Sequence, residues 1–87
     1  MKAYASNQDY FDELERLASR MEHGDNSEAA AEVRYGVACV NGLTDGWAML
    51  MDSLEKTIAL HGKSLPRDQA DDLENAFQAA RKAVYRF

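Results

Sequence analysis

Apolar residues recur at three- and four-residue steps along nearly the whole chain, and nowhere do they alternate as they do in a strand. Tyr10, Leu14, Leu17 and Met21 form the first such stripe, widened by Phe11 and Ala18. Ser6 precedes it with Asp9 three residues on, a hydroxyl-and-carboxylate spacing that satisfies the free N–H groups of a helix start. His23 and Gly24 close it. A histidine suits the negative end of the helix dipole, and a glycine suits the left-handed residue that follows. The pattern predicts a helix over about 7–23.

Asp25, Asn26 and Ser27 are all helix-start residues, and Asp25 with Glu28 has capping-box spacing. At the other end, His61-Gly62 repeats the ending seen at His23-Gly24, and Pro66 fits the first turn of a last helix. There Leu73, Phe77, Ala80, Val84 and Phe87 step by four and three. Asp68, Asp71 and Asp72 favour its start, and Arg81, Lys82 and Arg86 its end. The prediction is a helix over about 66–86.

Between these lies the ambiguous segment. Asn41-Gly42 and Asp45-Gly46 are turn dipeptides, and keeping this stretch helical costs about 4–5 kcal/mol relative to alanine. Yet Val33, Val37, Val40, Thr44, Trp47, Met51, Leu54, Ile58 and His61 step by four and three straight through it. The polar set Arg34, Asn41, Asp45, Asp52 and Lys56 keeps phase as well. A stripe held on both faces predicts one continuous central helix over about 27–61, about 52 Å long at ~1.5 Å per residue. The expected fold is thus an all-α, single-domain bundle of three helices spanning 1–87. The alternative is a compact four-helix bundle with a break near Gly42.

A long central helix leaves apolar surface uncovered. Its apolar arc spans about half the circumference, wider than one flanking helix needs. Cys39, Leu43, Trp47, Leu50, Met51 and Leu54 are therefore the candidate partner-binding residues, and a two-fold homodimer across the central helix is the simplest way to cover them.

Composition narrows this further. The net charge is −5, with nine acids against four bases in residues 1–45 and six of each thereafter. A negative field repels phosphate, which speaks against nucleic acid as partner. The single cysteine, Cys39, cannot close an internal disulfide and fits the reducing cytoplasm. Neither a secretory leader nor a membrane span is expected from the start of the chain or from residues 36–51.

Candidate chemistry adds little. His23 and His61 stand at helix ends and lack metal-ligand spacing, so no metal site is expected. Cys39 has no histidine placed to activate it. Asp9 with Glu13 and Glu28 with Glu32 read as solvated helix surface rather than paired catalytic acids. The expectation is a non-enzymatic adaptor, regulator or inhibitor that works by protein–protein interaction, with no cofactor and no small-molecule substrate. Two alternatives stand beside it. One is a mobile-element-encoded inhibitor acting through acidic Asp9, Asp12, Glu13 and Glu15. The other is a nucleic-acid-binding regulator using Arg81 and Arg86.

Overall fold

The computed structural model describes residues 4–40 and 45–85. Among these there are four helices: α1 (Asn7–His23), α2 (Ser27–Val40), α3 (Gly46–His61) and α4 (Arg67–Val84). The all-α class is as the periodicity predicts. The three-helix count is not, because the predicted central helix is two helices. α2 ends at Val40, α3 begins at Gly46, and the two lie antiparallel against each other. Gly42, where the alternative reading put the break, lies outside the described residues.

The chemistry of α1 is local and clear. Ser6 has extended backbone, and its Oγ accepts from the Asp9 N–H at 3.1 Å, as the capping pattern predicts. Tyr10, Leu14, Leu17, Ala18 and Met21 are buried. Its ending differs from expectation. Gly24 has φ −95°, and the left-handed residue is instead Asp25, at φ 66°. Asp25 N–H donates to the Glu22 carbonyl at 3.2 Å, and Asn26 N–H reaches back to the Met21 carbonyl at 2.8 Å. This double closure satisfies two carbonyls that the helix end leaves free. Asp25 is therefore a turn residue rather than the cap of α2.

Antiparallel contacts define the ring order. α1 packs on α2 and α4, and α3 packs on α2 and α4. Arg34 of α2 ties α1 by ion pairs to Glu22 at 2.7 Å and Glu15 at 3.0 Å. Arg20 of α1 reaches Asp72 at 2.8 Å and Asp68 at 3.1 Å on α4. The α2–α3 seam is the tightest, because Gly36 of α2 leaves room for Ser53. Ser53 Oγ there donates toward the Glu32 carbonyl (2.7 Å) and the Glu32 carboxylate (2.9 Å), and Lys56 Nζ pairs with that carboxylate at 3.1 Å. The Ser53 hydrogen bond, then Lys56, holds the Glu32 carboxyl below its usual range.

One hydrophobic core runs through the bundle, with Leu14, Met21, Val33, Leu50, Leu54 and Leu73 fully buried. No described helix is long and apolar enough to cross a membrane.

Candidate interaction surface

Antiparallel order brings the N-termini of α1 and α3 to the same end of the bundle as the C-termini of α2 and α4. Aromatic side chains collect there. Trp47, in the first turn of α3, lies across the core from α1 and meets Tyr10 at 5.7 Å and Phe11 at 5.5 Å between ring centroids. Tyr4 stands edge-on to Tyr10 at 4.8 Å, with the ring planes at 88°. The edge-to-face Tyr4–Tyr10 pair places a positive ring edge on a negative face, while the Trp47 rings lie tilted at 30° to Tyr10 and 33° to Phe11. Tyr10 is the buried centre of this layer, and its hydroxyl donates to the Ala76 carbonyl of α4 at 2.7 Å. Burial first, and neighbouring Tyr4 second, push the Tyr10 phenol well above its ordinary range.

Tyr4, Phe11 and Trp47 are only partly buried. Between the segment leading into α1 and the last turns of α4, Tyr4 and Trp47 border a cleft of about 470 Å³, lined also by Ser6, Asn7, Ala79 and Ala83. The two alanines set its width, since a larger side chain at either position would fill it. Ala79 and Ala83 also border a second open hollow of about 690 Å³, beside Gln78, Arg81, Lys82 and Tyr85. Tyr85 there is 68% exposed, the most exposed large apolar side chain among the described residues. Both hollows are of the size that accepts a side chain or a short segment of a partner.

The predicted partner-binding residues separate into three groups. Leu50 and Leu54 are fully buried and Cys39 is buried, all within the chain. Their part of the apolar arc is covered by the folding of α2 onto α3, which a continuous helix could not do for itself. Trp47 and Met51 are partly buried, pack against the core and border open clefts. Leu43 lies outside the described residues. The pattern left Tyr4, Ala79 and Ala83 unremarked. The only signal for them was the i, i+4 pair of alanines on α4 facing an aromatic chain start.

The other chemistry is dispersed. Among the described residues no three His, Cys, Asp or Glu side chains group as metal ligands. His23 and His61 sit in the last turns of α1 and α3, as expected. Of the acidic quartet, Glu13 pairs with Arg16 at 2.9 Å, Glu15 is held by Arg34, and Asp12 accepts from Gln8 at 2.9 Å. Arg81 is exposed in the last turn of α4, and Arg86 lies outside the described residues.

Fold and site together define an antiparallel four-helix bundle with an aromatic-lined cleft at one end. No protein-family model, curated protein or solved structure matches this chain.

Proposed function

We propose that this protein is a non-enzymatic binding protein of the cytoplasm, an adaptor, regulator or inhibitor, that engages a protein partner at its aromatic end. The observation that carries this reading is the partly exposed layer of Tyr4, Phe11 and Trp47 beside the cleft at Ala79 and Ala83. Large aromatic side chains on a rigid frame gain contact area at little cost in conformational freedom, which is why they anchor interfaces. The clefts beside them accept a partner's side chains, and Arg81 and Tyr85 extend the surface along α4. Free, buried Cys39 accords with a reducing compartment.

Ala83→Arg tests the reading, because it fills the cleft from a partly buried position without removing any core side chain. Immobilised wild type and Ala83→Arg are exposed to extract of the native cell. A protein retained by wild type and lost with Ala83→Arg supports the reading. Identical retention by both contradicts it.

A further inference from the structure

α3 and α4 each present a row of side chains along the groove they share. Met51 and Glu55 stand one turn apart on α3, and Phe77, Arg81 and Tyr85 follow at four-residue steps along α4. These five line a hollow of about 490 Å³ on the α3 side of α4, whereas the aromatic cleft at Ala83 opens on the α1 side. Met51 and Phe77 are partly buried against the core, and Glu55, Arg81 and Tyr85 are exposed.

The two charges in this hollow are unanswered. Arg16, Arg20, Arg34 and Arg67 each have a carboxylate in ion-pair range. Among the described residues Arg81 is the arginine without one. Glu55 likewise has no cationic partner there, although it lines the same hollow as Arg81.

These charges decide what fits. A partner of one sign satisfies Arg81 or Glu55 and repels the other. A second copy of the chain brings both an acid and a base. We propose that this protein pairs with itself across the α3–α4 groove, through two reciprocal Arg81–Glu55 ion pairs around Met51, Phe77 and Tyr85. The two-fold axis runs along the groove and lays α4 of each chain over α3 of the other. Each Arg81 then faces the other chain's Glu55, and each Tyr85 covers the other chain's Met51 and Phe77. The surface is its own complement, which a closed two-fold dimer requires. Apolar burial supplies the attraction, and the charges fix the choice of partner and the register. The pairing is independent of the partner engaged at the aromatic end, whose cleft it leaves open.

Sedimentation equilibrium of the full chain at low salt tests this, and a monomer–dimer equilibrium is the expected result. Arg81→Glu and Glu55→Arg each set like charges against one another at both pairs, and each is expected to weaken the dimer at least about tenfold. Glu55→Arg is the sharper of the two. It lowers the negative net charge of the chain, so relief of general repulsion alone would strengthen association. Mixing the two variants restores opposite charges at both pairs, and the mixture is expected to dimerise as wild type does. Both substitutions are at exposed positions, and circular dichroism of each variant checks that the helices are retained. Wild type that is monomeric at about 1 mM overturns the proposal. So does a dimer that either reversal leaves intact, or a mixture of the two reversals that stays monomeric. A monomeric chain that still loses its retained protein with Ala83→Arg would sink the pairing and leave the reading of the aromatic end standing.

Discussion

Gly36 of α2 meets Ser53 of α3 so closely that a β-carbon at position 36 would stand 2.8 Å from the Ser53 β-carbon and 3.0 Å from Leu50 Cδ1. The Ser53 β-carbon is fixed to its backbone, so added bulk has to push the two helices apart. Gly36→Ala gains about 1 kcal/mol of helix propensity but loses 1–3 kcal/mol to overpacking. The expected result is a net loss of about 1 kcal/mol, read as a lower urea midpoint at unchanged slope. A stabilised Gly36→Ala would show that the seam is looser than this contact requires.

Asp25 holds the left-handed position after α1, a conformation that costs a residue with a β-carbon about 1 kcal/mol. Asp25→Gly removes that cost. It is expected to raise the melting temperature by about 4–8 °C, as for a gain of about 1 kcal/mol in a chain of this size. Asp25→Ala keeps the β-carbon and is expected to give no such rise.

The Tyr10 hydroxyl bonds to the Ala76 carbonyl inside the aromatic layer, so Tyr10→Phe is expected to lose about 1 kcal/mol with its ring packing intact. Because the folded phenol titrates above its unfolded value, this contribution is complete below about pH 10 and is lost as pH rises beyond it. Ultraviolet titration should show the Tyr10 phenol resisting ionisation until the bundle unfolds. A tyrosinate signal from Tyr10 in the folded protein near pH 10 would contradict its burial.

Glu32 runs the opposite way. Its carboxyl is held low, first by the Ser53 hydroxyl and then by Lys56, so its contribution is present above the usual carboxylate range and is lost as pH falls through it. Glu32→Gln is expected to destabilise by about 0.5–1.5 kcal/mol at pH 7. At pH 3 the gap from wild type should narrow. An equal gap at both values would mean that the carboxylate charge plays no part in the seam.

Much of this fold is legible in the residues. Ser6 marks the start of α1, and the steps from Tyr10 to Met21 mark its inward face. Pro66 and the acid-to-base gradient from Asp68 to Lys82 mark α4. The central helix misled because phase alone does not distinguish a continuous helix from a hairpin. Val40 and Trp47 are seven residues apart, two helical turns, and each arm faces the same core after the chain reverses. The turn chemistry around Gly42 and Gly46 carried the information, and the close approach of Gly46 to Cys39 and Val40 explains why glycine stands there. The same error enlarged the candidate site. Leu50 and Leu54 looked exposed only while α2 and α3 were one rod, whereas the cleft at Ala79 and Ala83 depends on α1 meeting α4, a pairing distant in sequence. His23-Gly24 misled more gently, since the left-handed turn falls one residue later, on Asp25.

A distance between the ends of α2 and α3 tests the architecture on which all of this rests. Spin labels at Glu28 and Ala59, both exposed, are read by pulsed electron resonance in dilute monomer mixed with excess unlabelled chain. Adjacent antiparallel helices, 8–10 Å between axes, predict a distance below about 25 Å. A single distance near 46 Å, the length of a continuous helix between the two positions at ~1.5 Å per residue, would contradict the four-helix bundle.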